Sequence, residues 1–424
     1  MRAEVISIGD ELTSGQRLDT NCQWLSLRLA ELGVETAFHT TVADDLDANI
    51  EVFRHALARA DVVVSTGGLG PTADDLTREV LAKSVGAELV LYEEALRHVE
   101  ALFARRGRPM PERNKIQAYF PAGSRVIHNP EGTAPGIDLD VPRAGRSPSR
   151  AFALPGVPAE MKEMWTATVG PAIAAMLPEA RVIRHRRIKC FGVGESDLEQ
   201  MLPDLIRRGR VPSVGITVHE ATITLRITAS GRDEAECFAA MEPTAQTIYE
   251  CLGELVFGEE DDELADAVVR LLRQRDLKLA VTEWGTGGLL ARWLAEVDGV
   301  AQYFAGSTLV TGDMTAIKWL DVDPELRPVE VLAGDDAALS RTTALLAEAA
   351  RKRFGADLGL AVGRAPAGDG AASGEAGPPK IAFALADRSG TIVKTTPYAG
   401  HPAILKPRAA KQALNLLRLQ LGKT

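Results

Sequence analysis

Residues 61–86 read DVVVSTGGLGPTADDLTREVLAKSVG. Val62, Val63 and Val64 form a short unbroken apolar run, as expected of a strand buried on both faces of a parallel sheet. Gly67, Gly68 and Gly70 follow, then Asp74 and Asp75, then helical spacing to Val85, where Gly86 stops it. Strand, glycine turn and helix make half of a βαβ unit. Glycines let the backbone turn sharply and approach a ligand closely. Free amides in the turn and at the helix start favour an anion. Carboxylates beside a bound phosphate point to a bridging divalent cation. No Gly-Lys-Ser/Thr follows, so this is not a P-loop, and a tight βα turn with an Asp cap is the plainer alternative.

The same alternation extends on both sides. Glu4–Ile8 is a β-branched run ending in Gly9, and Asn21–Leu32 has helical apolar spacing with Gly33 as a C-cap. Val34–Thr41 reads as a strand and Ala48–Ala60 as a helix. Short strands separated by helices indicate a parallel α/β sheet. Ligands of such sheets bind beyond the carboxyl ends of the strands. The turn after strand one, GDELTSGQRLDTN from Gly9 to Asn21, is therefore expected to face the same crevice as Gly67. Asp10, Glu11, Asp19 and Asn21 are its candidate metal or hydroxyl partners; a helix cap explains Asp10 and Glu11 equally well. Asp44-Asp45 reads first as a helix N-cap. Lys115 and Thr133 are candidates to meet a phosphate, and Glu131 and Glu160 a metal, each with a structural alternative. Residues 142–150, PRAGRSPSR, are expected to form a surface loop.

Further along, the character changes. Residues 173–255 show strand-like and helix-like runs in the order β-α-β-β-α, as in a small α+β module. Residues 256–424 return to α/β, interrupted by the low-complexity stretch Gly363–Pro379, which cannot bury a core. Three domains are thus expected, 1–172, 173–255 and 256–424.

Composition narrows the possibilities. The chain has 424 residues, 46% of them hydrophobic, which is ordinary for a folded domain protein. Forty-eight Lys and Arg against 58 Asp and Glu leave a net charge of −10. That argues against a protein whose main work is gripping nucleic acid. The four cysteines form no CxxC pair, so no zinc or redox motif is expected. Neither a signal-peptide pattern nor an apolar run of membrane-spanning length is present, and a cytoplasmic location without membrane association is the expectation.

Six stretches taken together carry a resemblance. ISIGDELTSGQRLDTN, TVADD, STGGLGPTADDLT, RNKIQA, NPEGTAPG and LPGVPAEMKEM occur in this order over residues 1–165, and the chain thereby resembles the CinA (competence-damage-inducible) family. CFGVGESDLEQ and LRITA extend the match into the middle segment. The resemblance implies, for the first domain, the fold of molybdopterin-binding enzymes of the MogA and MoeA kind. Their GGTG-x₄-D pattern falls on Gly67, Gly68, Leu69 and Gly70 and ends on Asp75. It further implies metal-dependent hydrolysis of ADP-ribose, or a related nucleotide, to AMP and ribose 5-phosphate. On that basis Asp75, Asp10 and Lys115 are the expected catalytic residues. Ser14, Asn21, Thr66, Gly67, Gly68, Gly70, Thr72 and Thr133 are expected at the nucleotide, and Asp75, Asp44 and Glu11 at the metal. The expected cofactor is Mg²⁺, Mn²⁺ or Co²⁺, with K⁺ as a further candidate, and a homodimer is expected.

The middle module resembles the family's KH-like insert. Its Gly192-Val193-Gly194-Glu195 departs from the GXXG spacing that clamps nucleic acid, so a spacer or dimerisation role is expected there. The last domain resembles nicotinamide mononucleotide deamidase, whose turn reads AESCTGG with Ser as nucleophile. Here Trp284 and Gly285 stand at the Ser and Cys positions, and Thr311 and Ala316 at the assisting Tyr and Lys positions. Trp has no nucleophilic atom and Ala cannot relay a proton, so loss of that activity is expected. Two other functions compete: molybdopterin-type nucleotide transfer or binding at the same loop, and a non-enzymatic scaffold in DNA uptake or repair.

Overall fold

The computed structural model describes residues 1–177, 181–312, 315–316, 319, 336–366 and 378–423. Strands β1 (Arg2–Ile8), β2 (Glu35–Val42), β3 (Val62–Thr66), β4 (Leu89–Leu91), β5 (Tyr119–Pro121), β6 (Arg125–Ile127), β7 (Gly136–Arg143) and β8 (Arg146–Leu154) belong to the first part of the chain. Six of them form one sheet, ordered β2-β1-β3-β8-β7-β6, and β4 pairs with β5 apart from it. β1 runs parallel to both β2 and β3, and β3 parallel to β8. β7 turns back antiparallel on β8 and β6.

The valines are buried because both faces of this sheet are covered. Val63 joins a core with Ile6, Phe53, Leu57, Val80 and Leu81. Val62 and Val64 join the opposite core with Val5, Leu25, Leu29, Met161 and Trp165. Helices α1 (Asp10–Thr13), α2 (Thr20–Glu31), α3 (Leu46–Arg59), α4 (Thr77–Val85), α5 (Glu93–Arg105) and α6 (Pro158–Met164) connect and cover the strands. Asp19 caps α2 by accepting the Cys22 N–H at 2.9 Å. Asp45 caps α3 by accepting the Ala48 N–H at 2.8 Å, as its sequence position suggests. From β1 the chain passes to one neighbour, β2, and then returns to the other, β3. The crevice between the carboxyl ends of β1 and β3 is thus a topological switch point.

Two expectations need correction. Residues 142–150 are not a surface loop: β7 and β8 run through them as a hairpin, with Gly145 at φ 68 in the tight turn. Residues 144–148 around the turn are all exposed and include Gly, Ser, Pro and Arg, so the hairpin tip looks, in sequence, like a loop. The helix expected from Asp74 begins only at Thr77, because Asp74 and Asp75 belong to the preceding turn.

By packing, the described residues divide into two units, Met1–Arg184 with Ala229–Ala240, and His185–Thr228 with Met241–Thr424. A four-stranded sheet, β10-β11-β9-β12, is built from β9 (Val182–Cys190), β10 (Ser213–His219), β11 (Thr222–Gly231) and β12 (Val256–Glu259). The second unit also holds a five-stranded sheet ordered β14-β13-β15-β16-β17. Its strands are β13 (Leu279–Glu283), β14 (Phe304–Leu309), β15 (Leu358–Val362), β16 (Lys380–Ala386) and β17 (Thr391–Pro397). β13 lies parallel between β14 and β15, so this sheet has its own switch point beyond Glu283 and Val362. Among the described residues no helix is long and apolar enough to cross a membrane. Most of the stretch Gly363–Pro379 lies outside the described residues.

Candidate functional site at the first switch point

Beyond Thr66 the chain turns at Gly67 (φ 109) and Gly68 (φ 66), which favour glycine. A Cβ on Gly67 would overlap the Ile8 carbonyl oxygen, and one on Gly68 the Thr77 hydroxyl. The Thr77 hydroxyl in turn donates to the Gly67 carbonyl at 2.8 Å. Asp75 closes the loop from the other end. Its carboxylate accepts the N–H groups of Gly70 and Thr72, both at 2.8 Å, and the Thr72 hydroxyl as well.

A buried arginine lies behind this loop. Arg78 is 3% exposed and donates to the carbonyls of Leu69 at 2.7 Å and Gly70 at 3.3 Å. Burial lowers its pKa to about 10, against the opposing pull of Asp75. Gln117 also donates to the Leu69 carbonyl, at 3.4 Å, and its own amide oxygen accepts from Asn114 at 2.9 Å. With its carbonyls thus engaged from behind, the turn is fixed in place at the cleft wall.

Acidic groups gather after β1 and β2. The Asp10 N–H donates to an Asp44 carboxylate oxygen at 3.0 Å, and the Asp44 N–H to Asp10 at 3.1 Å. Burial, together with the charges of Asp10, Asp74 and Glu11, holds the Asp44 pKa above its ordinary value despite the hydrogen bond from Asp10. Ser14, with Thr13 and Gln16, lines the hollow beside these carboxylates. Glycine loop and acidic group open into one cleft of about 520 Å³, walled also by Gln117, Thr133, Gly156 and Glu160. That size suits a small-molecule ligand. Asn129 shapes the Thr133 wall: its side chain donates to the Ala134 carbonyl at 3.0 Å and to Glu160 at 2.8 Å. Asn21 donates to the Thr66 hydroxyl at 3.1 Å and the Gly156 carbonyl at 2.9 Å, tying the start of α2 to β3 and the β8–α6 turn.

The candidate residues therefore separate. Glu11, Asp44, Gly67, Gly68, Gly70, Asp75 and Thr133 line the cleft, with Asp10, Ser14, Asn21 and Thr66 in the hollows beside it. Thr72 is bound up with Asp75 in the loop itself. Lys115 lies outside this lining, 3.9 Å from Glu112. Arg78, Gln117, Asn129 and Arg17 were not among the candidates, although the first three fix the walls and Arg17 lines the cleft. Asn114, Lys115 and Gln117 share one polar run, and only burial distinguishes them: Asn114 and Gln117 are buried, Lys115 is not. Among the described residues, no three of His, Cys, Asp and Glu converge as a ready set of metal ligands.

At the second switch point, Glu283 is buried and its carboxylate accepts the Thr286 hydroxyl at 2.6 Å and the N–H groups of Gly288, Leu290 and Ala291. Trp284 packs against the cluster that contains Val310, Ala316 and Leu346. Arg364, after β15, lies over the Trp284 ring at 5.9 Å. Ala316 is fully buried and Thr311 exposed.

Three family models match the chain in tandem: "Probable molybdopterin binding domain" over residues 4–175, "Damage-inducible protein CinA KH domain" over 185–258 and "CinA C-terminal domain" over 261–421. A "CinA-like protein" of Dictyoglomus turgidum is 38% identical over 360 residues, 85% of each chain. A "Putative competence-damage inducible protein" of Caldicellulosiruptor bescii is 35% identical over 422 residues, 99% of each chain. One of Clostridioides difficile is 34% identical over 431 residues, the full length of both. With this agreement over its whole length, the chain belongs to the CinA, competence-damage-inducible, family.

Proposed function

We propose that the first switch-point cleft hydrolyses a nucleotide pyrophosphate, ADP-ribose, to AMP and ribose 5-phosphate with the aid of a divalent cation. One observation carries this reading: the glycine turn and the carboxylates Glu11, Asp44 and Asp74 line the same cleft. In the reaction a water oxygen bonds to one phosphorus, the bridging P–O bond breaks, and the water gives up a proton. The Gly67, Gly70 and Thr72 N–H groups are engaged within the protein, so the amides of Gly68 and Leu69 are the ones that stabilise charge developing on the phosphate oxygens. Asp10, whose carboxylate accepts the Asp44 N–H, takes the proton in this scheme. Ser14, Asn21 and Thr133 supply polar groups for the nucleotide, and Asp75 with Thr72 holds the turn in shape.

The carboxylates fit a cation. Like charges crowd around Asp44, and a positive ion relieves that crowding. Mg²⁺ commonly binds through one or two carboxylates plus substrate phosphates and water, so two protein ligands suffice for this use. Asp44 and Glu11 would hold it. Bound there, Mg²⁺, Mn²⁺ or Co²⁺ supplies neutralisation of the phosphate oxygens and acidifies water.

The test incubates the protein with ADP-ribose and each metal in turn and follows AMP. Metal-dependent AMP supports the reading, and no AMP with any metal overturns it. The match to a molybdopterin-binding model favours a second reading, tight pterin binding at the same turn without AMP formation. Salt-dependent binding of single-stranded DNA would instead support the scaffold role.

For the C-terminal domain we propose a fold without deamidase chemistry. Trp284 and Gly285 offer no nucleophile, Ala316 no proton relay, and the nearby Thr286 hydroxyl is committed to Glu283. Conversion of nicotinamide mononucleotide to its acid by the purified protein would contradict this.

A further inference from the structure

The cleft is lined by five carboxylates, Glu11, Asp44, Asp74, Asp75 and Glu160, and by a single Lys or Arg, Arg17. Arg17 also lines the adjoining hollow formed with Asn21, Thr66 and Gly156. It therefore stands where the two depressions meet. The backbone on both sides is pinned: the Arg17 N–H donates to the Glu11 carbonyl at 3.0 Å, and Asp19 caps α2. The side chain itself is exposed, with no hydrogen-bond or ion-pair partner among the described residues. Next to it Leu18 is 89% exposed, so this loop tip also lacks packing partners in the chain. A guanidinium left unpaired at an acidic cleft has a free planar fork of donors, the arrangement that matches phosphate oxygens.

We propose that Arg17 is a second anion anchor, which holds the phosphate remote from the glycine turn and makes the site select two linked phosphates over a single one. This rests on the pyrophosphatase reading of the same cleft. An orthophosphate held at the glycine turn leaves Arg17 unused, whereas a pyrophosphate engages both ends. The residue is a binding and specificity determinant and takes no part in bond breaking.

The test measures binding of inorganic pyrophosphate and of orthophosphate, each with Mg²⁺, by calorimetry on the full chain. The wild-type protein is expected to prefer pyrophosphate by about tenfold or more. Arg17→Met is expected to lose about tenfold on pyrophosphate and little on orthophosphate, and Arg17→Lys to fall between. Arg146→Met, in the β7–β8 hairpin at the far end of the strands, controls for net charge and is expected to match wild type. Unchanged pyrophosphate affinity in Arg17→Met, an equal loss on both anions, or no pyrophosphate binding by the wild type would each overturn the proposal. Arg17-dependent pyrophosphate binding without AMP release from ADP-ribose would uphold it and defeat the hydrolysis reading alone.

Discussion

Gly67 stands where the glycine turn passes against the end of β1. Its φ of 109 and the Ile8 carbonyl leave no room for a side chain. Gly67→Ala is expected to cost roughly 2 kcal/mol of stability, from strain and displacement of the turn. Thermal denaturation checks this, and an unchanged melting temperature would mean the turn is not so constrained. Asp44 makes a prediction of opposite sign. Its folded pKa lies above its ordinary value, so the folded state holds the proton more tightly than the unfolded chain. Stability falls as pH rises from about 3.9 through the higher folded value, and ionised Asp44 weakens the fold at neutral pH. Asp44→Asn keeps an oxygen to accept the Asp10 N–H and removes the repulsion. It is expected to melt higher than wild type at pH 7 and nearly equally below pH 3.5, while losing the stabilisation that added Mn²⁺ gives the wild type. Equal melting temperatures at pH 7 would show that the carboxylate crowding carries no cost.

The element that organises the site is the β3–α4 turn. Its presence was legible in sequence because a valine run, three glycines and a helix are all local signals. Its support was not. Gln117 reaches Leu69 across 48 residues, Thr66 donates to the Pro155 carbonyl across 89, and Asn129 meets Glu160 across 31. No period or spacing in a single chain reports such pairings. Arg78 was hidden for another reason: on a helix an arginine reads as a solvated face, yet this one is buried because two loop carbonyls and the charge of Asp75 receive it. Arg78→Leu is expected to cost about 1.5–3 kcal/mol, the range for hydrogen bonds from a charged group, and to loosen the turn. Denaturant melts should then show an earlier midpoint, and hydrogen exchange at Gly67–Gly70 should quicken. Exchange as slow as in wild type would rule out the anchoring role. Lys115 and Gln117 illustrate the same limit within a single motif: both are polar, and only the fold places Gln117 at the loop and Lys115 beside Glu112.

Across the molecule, the sheet headed by β1 and the sheet headed by β13 share one plan, a first strand flanked by parallel neighbours and a loop at its carboxyl end. They differ in what the loops carry. After β1 and β3 lie glycines and carboxylates around an open cleft. After β13, Trp284 packs into the hydrophobic cluster that includes Ala316. The domain order was legible because the motifs occur in family order along the chain, and the models for the three parts match in that same order. The hydrolysis proposed here is assigned to the first cleft, and AMP formation from ADP-ribose tests it most directly. With saturating Mn²⁺, the wild-type protein is expected to give AMP and ribose 5-phosphate in equal amounts, with loss of both on adding a chelator and a fall of about a hundredfold or more in Asp44→Asn. No AMP from the wild type, or the same yield from Asp44→Asn, would contradict it.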